Sequence, residues 1–306
     1  MTASPSTVTA GSESSAAGSV WFVTGSSRGL GRSLAEAALA AGHRVAATAR
    51  DPRTLDDLVA AHPDRVLALA LDVTDDAAAQ AAVAATLERF GRIDVLVNNA
   101  GYADLGSVED TTLESFRRQI DTNLFGVITV TKAVLPLLRR QGSGRIIQIS
   151  SVGGRSSTPG LSAYQSAKWA VGGFTEVLAK EIAPLGLFAT AIEPGGMRTD
   201  WAGSSMTLAP VTPGYEETVG AMAVLHDGES LAASDPAKVA QLVLTVASLE
   251  NPPVRLLSGS DAVLYSGMNA EALAASDAAW RDLSVSTDAD DATAEHLDPL
   301  GAGREA

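Results

Sequence analysis

The chain has 306 residues, room for one large domain or two small ones, and 46% of them are hydrophobic, so a sizeable core forms and wholesale disorder is excluded. Lys and Arg number 22 against 36 Asp and Glu, a formal charge of −14 with a pI near 4.6, which argues against nucleic acid or an anionic membrane as the main partner. Cysteine is absent, which removes disulfides, thiolate metal sites and Cys nucleophiles, and His43, His62, His226 and His296 are too scattered to suggest a metal site.

Residues Met1–Ser19 are mostly Ser, Thr, Ala and Gly and read as a flexible tail. The first positive side chain is Arg28, so the cationic start of a signal peptide is missing, and no apolar run reaches the roughly 18 residues that span a bilayer. A soluble, cytoplasmic protein is expected. From Val20 onward short apolar runs alternate with amphipathic stretches. The runs are Val20–Thr24, Arg44–Ala49, Val66–Leu71, Ile93–Val97, Arg145–Ser150, Leu187–Glu193 and Val254–Leu257. Each is of strand length and apolar throughout, as strands covered on both faces are. Helical patterns occupy Leu30–Ala41, Asp75–Phe90, Leu113–Leu138, Ala163–Ala183 and Pro236–Leu249. This alternation predicts an α/β fold: a single-domain Rossmann-type, doubly wound parallel sheet of about seven strands flanked by helices. The domain is expected over 20–283, followed by an acidic tail over 284–306 that carries Asp288, Asp290, Asp291, Glu295 and Asp298.

The first strand runs into Thr24-Gly25-Ser26-Ser27-Arg28-Gly29-Leu30-Gly31 and then a helical pattern. Gly25 permits a tight turn, while Gly29 and Gly31 let backbone approach a ligand and the helix pack on the strand. The free N–H groups and positive dipole of such a helix end suit a pyrophosphate. The candidate phosphate-binding set is therefore Gly25, Ser27, Arg28, Gly29, Leu30 and Gly31.

The spacing here is T-G-x-x-x-G-x-G. With Asp72 after the third strand, Asn98-Asn99-Ala100-Gly101 after the fourth, Asn123, Ser151, Tyr164 with Lys168, and Pro194-Gly195, the chain from about Val20 to Ser258 resembles the short-chain dehydrogenase/reductase family. Tyr164 and Lys168 stand at i and i+4, on one helix face. A free phenol titrates near pH 10, and a neighbouring ammonium is expected to lower that value toward the working pH of a general acid or base. Ser151, 13 residues earlier, is expected to hydrogen-bond the substrate oxygen, with Ser150 pointing the opposite way along the strand. In similar enzymes an Asn at the position of Asn123 holds a water that links the lysine to solvent.

The resemblance implies a nicotinamide dinucleotide. An acidic residue after the second strand would bind the ribose hydroxyls and favour NAD. That position is Ala49 here, with Arg50 following and Arg28 in the glycine turn, so NADP(H) is favoured over NAD(H). Asp51 complicates this, since it could pair with Arg50 or reach the ribose. Asp72 and Val73 are expected at the adenine, or Asp72 caps the next helix. Asn99, Ala100 and Gly101 pass the cofactor ribose or buttress the sheet. Pro194, Gly195, Met197 and Thr199 resemble the segment at the nicotinamide end, where Tyr164 and Lys168 also reach the cofactor.

Residues from Thr199 to about 234 lack clear periodicity and, by resemblance, cover the substrate; Trp201, Met206, Leu208, Tyr215 and Met222 would make an apolar pocket or simply pack the lid. Arg155 and Ser157 face that pocket or water. The C-terminal run Asn251-Pro252-Pro253-Val254-Arg255-Leu256 and Gly259-Ser260-Asp261-Ala262 is similar to the 17β-hydroxysteroid dehydrogenase-like subgroup, and points away from a fatty-acid-synthesis ketoreductase. The implied activity is hydride transfer between a ketone or aldehyde and an alcohol, in a homodimer or homotetramer with a small-molecule substrate. A non-catalytic NADP-binding sensor is the alternative, but has no need of Ser151, Tyr164, Lys168 and Asn123 together. A nucleotide-sugar epimerase or dehydratase would show a different glycine spacing and a larger C-terminal domain.

Overall fold

The computed structural model describes residues 18–199, 206–227 and 232–301. Seven parallel strands form one sheet: β1 (Val20–Val23), β2 (Arg44–Ala49), β3 (Val66–Ala70), β4 (Val95–Asn98), β5 (Gly144–Ile149), β6 (Leu187–Pro194) and β7 (Arg255–Ser258). Their order is β3-β2-β1-β4-β5-β6-β7, so the winding reverses between β1 and β4, where open α/β sheets take their ligands.

Helices cover both faces. Trp21 and Val23 of β1 join one core cluster with Leu34 and Ala38 of α1 (Gly29–Ala40), Leu58 of α2 (Asp56–Ala61), and Val239 and Val243 of α8 (Pro236–Ser248). Phe22, between them in sequence, points the other way. It joins Val83 of α3 (Asp76–Phe90), Val134 and Leu138 of α5 (Gly126–Gln141), and Leu178 of α6 (Ser162–Ile182). The period of two, with both faces apolar, is why these runs read as continuous hydrophobic strands. Burying a side chain such as Phe22 contributes about 1.5–3 kcal/mol.

Side-chain caps start several helices, among them Asp75 for α3, Thr112 for α4 (Leu113–Ile120) and Asp235 for α8. The single helix expected over Leu113–Leu138 is α4, a π-helical turn over Asp121–Phe125, and α5. Together they make a helix of 29 residues with an 18-residue window of mean hydropathy 1.3, long and apolar enough to cross a membrane by length and composition. Polar residues interrupt its apolar run, and its apolar side chains, among them Val130, Val134 and Leu138, pack against the sheet as a core helix does.

The chain divides into two compact units between Tyr265 and Ser266. The first holds the whole sheet, and α7 (Ala221–Asp227). The division falls inside α9 (Ser260–Ala279); the second unit continues with α10 (Arg281–Val285) and α11 (Ala294–Leu297), the latter opened by a Thr293–His296 capping box.

Candidate active site

The turn from β1 into α1 has Gly25 at φ +69° and Gly29 at φ +54°, a region that favours glycine. Gly31 is required by space: a Cβ there would lie 2.1 Å from the Gly25 carbonyl oxygen and 2.5 Å from Asn99 Nδ2. Thr24 and Asn99 hold the turn against β4. The Thr24 hydroxyl accepts from the N–H of Asn99 (2.9 Å) and of Ala100 (3.0 Å), and Asn99 Nδ2 donates to the carbonyls of Thr24 (2.9 Å) and Gly25 (3.2 Å). The side chain of Asn99 therefore buttresses the turn. The residue preceding α1, Arg28, makes no side-chain cap, and a helix N-terminus of this kind suits an anion.

This turn forms one wall of a cleft of about 630 Å³. Gly25, Ser27, Arg28, Leu30, Gly31, Arg50, Asp72, Val73, Asn99, Ala100 and Gly101 all line it, so sequence-distant candidates meet at the switch point. Arg50 is exposed. Asp51 turns away to Arg53, which donates from its backbone N–H (3.1 Å) and its guanidinium (2.7 Å), and the side-chain pairing holds the carboxyl below the usual range. The pairing of Asp51 with Arg50 that the sequence allows is thus replaced by one with Arg53. Asp72 accepts from the N–H (3.0 Å) and hydroxyl (2.7 Å) of Thr74; these bonds, with the charge of Arg50, hold its carboxyl low. The cap of α3 is Asp75, not Asp72.

Ser151 follows β5 in extended conformation (φ −165°) and enters a 3₁₀ turn over Val152–Gly154. Its Oγ accepts from Gly153 N–H at 3.0 Å, and the same side chain pulls the Tyr164 phenol downward in pKa. Ser150 points the other way, donating to the Lys168 carbonyl in α6 at 3.3 Å. Tyr164 is only 8% exposed and Lys168 only 4%. Lys168 Nζ donates to the Ile149 carbonyl at 2.8 Å and lies 5.5 Å from the centre of the Tyr164 ring.

The electrostatics of this pair correct the expectation of a lowered phenol. Burial pushes Tyr164 up to about 12, against the downward pull of Ser151, and burial draws Lys168 down to about 8. Desolvation dominates both, because each group sits in the protein interior.

Asn123 is fully buried in the π-helical turn, a helix defect often found at functional sites. Its Nδ2 donates to the carbonyls of Tyr102 (2.8 Å) and Gln119 (2.9 Å), and its Oδ1 accepts from Tyr102 N–H at 3.2 Å. A Cβ on Gly101 would meet this Oδ1 at 2.6 Å and Lys168 Nζ at 3.8 Å, so amide and ammonium flank the same glycine.

Pro194 ends β6, and Gly195, Met197 and Thr199 follow it, none of them in the cleft lining. Gly195 N–H donates to the Ser258 carbonyl (3.0 Å), Gly196 N–H donates to Asp261 (2.7 Å), and Met197 bridges to Ser234. Thr199 returns to the glycine turn, its Cβ 3.6 Å from where a Gly29 side chain would begin. Of the lid, Trp201 lies outside the described residues. Residues 206–215 clasp the 104–110 loop: Leu208 bridges to Leu105, Thr212 donates to Asp110, and Tyr215 donates to Glu109 at 3.1 Å. Met206, Tyr215 and Met222 are half-buried and Leu208 is exposed, as is Ser157.

Sequence reasoning missed several residues. Tyr102, Thr74, Arg118, Asp121 and Thr122 also line the cleft; Arg118 sits on the polar side of α4 and reads as ordinary helix surface. Arg155 faces neither pocket nor water alone but pairs with Glu193 at 2.6 Å. A Glu inside the apolar run of β6 was the available signal.

A doubly wound parallel sheet with a glycine turn and cleft at its switch point defines a dinucleotide-binding α/β protein of Rossmann type. The short chain dehydrogenase family model matches residues 19–207, and the chain belongs to that family. It is 54% identical over 270 residues to oxidoreductase BOA17 of Botryotinia fuckeliana (strain B05.10), covering 88% of this chain and 98% of that protein. The crystal structure of a short-chain dehydrogenase from Streptomyces avermitilis superposes with a TM-score of 0.84 at 41% identity, covering 89% of this chain and all of that one. A Burkholderia phymatum short-chain dehydrogenase/reductase solved in complex with NAD shares the fold, with a TM-score of 0.75 at 24% identity over 85% of this chain and 95% of that one. The protein is thus an oxidoreductase of this family, whose members bind a nicotinamide cofactor.

Proposed function

We propose that the protein is an NADP(H)-dependent oxidoreductase that interconverts an apolar ketone or aldehyde and its alcohol, with Tyr164 as general acid and base. The observation that carries this reading is the buried Tyr164 and Lys168, with Ser151 at the phenol, beside a cleft lined by Arg28 and Arg50. The cofactor, when bound, supplies or accepts the hydride. In reduction the Tyr164 hydroxyl gives its proton to the carbonyl oxygen as the carbonyl carbon gains hydride; in oxidation the phenolate takes the alcohol proton. The Ser151 hydroxyl steadies the charge developing on that oxygen, and the Lys168 ammonium favours the phenolate. Asn123 sits where it can order a proton path from Lys168. Support for NADP(H) comes from Ala49 standing in the cleft where an acid would favour NAD, and from two guanidiniums that suit a 2′-phosphate. Gly25, Ser27, Gly29, Leu30 and Gly31 would hold the pyrophosphate, Asp72 and Val73 the adenine, Asn99 to Gly101 the ribose, and Pro194 to Thr199 the nicotinamide.

The apolar substrate rests on Met206, Leu208, Tyr215 and Met222 in the segment latched to Leu105. A homodimer or homotetramer belongs to the same reading: Leu113, Phe125, Trp169 and Val177 stand exposed on α4, the π-helical turn and α6.

The test is consumption of NADPH against ketones of graded size and polarity, with Tyr164→Phe beside wild type. Turnover that requires Tyr164 and grows with apolar size is the expected result. NADPH binding with no turnover on any ketone would favour a cofactor sensor.

A further inference from the structure

Glu193 is fully buried at the end of β6, immediately before Pro194 and Gly195. Both of its carboxylate oxygens are taken by arginines from different parts of the chain. Arg155, which ends the 3₁₀ turn after Ser151, donates to Oε2 from Nε and from a terminal nitrogen, each at 2.6 Å. Arg255, the first residue of β7, donates to Oε1 from Nε at 2.8 Å and also through its second terminal nitrogen.

The same Arg255 nitrogen donates to the Gly154 carbonyl at 3.1 Å, and the other terminal nitrogen pairs with Glu176 of α6 at 2.9 Å. The guanidinium lies flat on α6, 2.8 Å from where a Gly172 side chain would begin. One carboxylate thus joins the turn after Ser151, the strand that enters the 194–199 segment, β7, and the helix that carries Tyr164 and Lys168.

We propose that Glu193, held by Arg155 and Arg255, is a positioning residue that keeps the Ser151 hydroxyl registered on Tyr164; this rests on the catalytic reading above. A buried ion pair is weak evidence for stability, because desolvation offsets most of its attraction. Its geometric consequence here is specific. The Gly153 N–H that orients Ser151 Oγ, and the Gly154 N–H that donates to the Ser151 carbonyl at 2.9 Å, both belong to the turn that Arg155 ends and Arg255 grips. A Cβ on Gly154 would meet the Lys168 carbonyl at 2.7 Å, so the turn lies tight on α6. Release of the arginine clamp frees Ser151 to shift, and a displacement of about 1 Å at a catalytic group can cost about 100-fold in rate.

Arg155 is the residue to change, since its side chain is 30% exposed and its loss leaves Glu193 paired with Arg255, whereas Glu193→Gln can fail to fold. Arg155→Gln is expected to lower kcat about 10- to 100-fold with the KM for NADPH unchanged. The double variant Ser151→Ala/Arg155→Gln is expected to be no slower than Ser151→Ala alone, because Arg155 acts through Ser151. Amide exchange over residues 152–155 is expected to rise in Arg155→Gln. Additive losses in the double variant, or an unchanged kcat in Arg155→Gln, would overturn the proposal. If wild type reduces no ketone with NADPH, the catalytic reading fails separately and amide exchange decides: unchanged exchange over 152–155 overturns the clamp, faster exchange sustains it.

Discussion

Lys168 Nζ donates to the Ile149 carbonyl at 2.8 Å while standing 5.5 Å from the centre of the Tyr164 ring, one helical turn earlier. The ammonium is thus anchored to β5 within reach of the phenol ring. This bond ties helix α6 to the end of β5.

Replacing Tyr164 with Phe removes the transferable proton and little volume. Turnover is expected to fall about 100- to 10,000-fold while NADPH affinity stays as in wild type. Steady-state rates and NADPH fluorescence titration check this; turnover at the wild-type rate would end the assignment.

Burial lowers Lys168 to about 8 from an ordinary 10.5, so between these values the folded protein binds fewer protons than the unfolded chain. By linkage, stability then rises with pH across pH 8 to 10.5, and the burial penalty is fully present below 8. Lys168→Met is expected to flatten that rise, by on the order of 3 kcal/mol at full titration. Denaturant unfolding of both proteins at about pH 7.5 and about pH 10 reads the difference; parallel curves would show that Lys168 does not titrate this way.

Arg50→Ala is expected to weaken NADPH about 10- to 100-fold, the worth of hydrogen bonds to a charged group, and to leave NADH nearly unchanged. Equal losses for the two cofactors in parallel fluorescence titrations would show that Arg50 does not read the phosphate.

Gly31→Ala forces a Cβ to within 2.1 Å of the Gly25 carbonyl oxygen. Backbone must move, at a cost of about 1–3 kcal/mol or more, and the phosphate turn loses its shape. A lower melting temperature together with lost NADPH binding is expected. Retained binding would mean that the turn relaxes without harm.

Glu193→Ala removes the buried carboxylate that Arg155 and Arg255 share, while both arginines keep some contact with water and Arg255 keeps Glu176, and it is expected to cost about 1–3 kcal/mol. The exposed Asp57, paired with Arg32, offers the contrast: Asp57→Asn is expected to leave the melting temperature nearly unchanged. Thermal melts of the two variants give the comparison.

Local chemistry made much of this legible in the sequence. Strands covered on both faces leave unbroken apolar runs, so all seven could be placed, although β4 starts at Val95 rather than Ile93. Glycine spacing marks a turn that side chains cannot enter, and a Tyr and Lys four residues apart on a helix share a face. These features depend only on near neighbours along the chain. What required the tertiary structure is what depends on distant ones. The preference of Asp51 for Arg53, the bracing of the glycine turn by Asn99, and the burial that drives Tyr164 and Lys168 apart in pKa follow from which surfaces meet. The Glu193–Arg155–Arg255 cluster shows this most plainly: its members stand 38 and 62 residues from the carboxylate, and only the order of β5, β6 and β7 brings them together. Charge and spacing set the class of chemistry; desolvation and packing, which no linear pattern carries, set where each group points and how tightly it holds its proton.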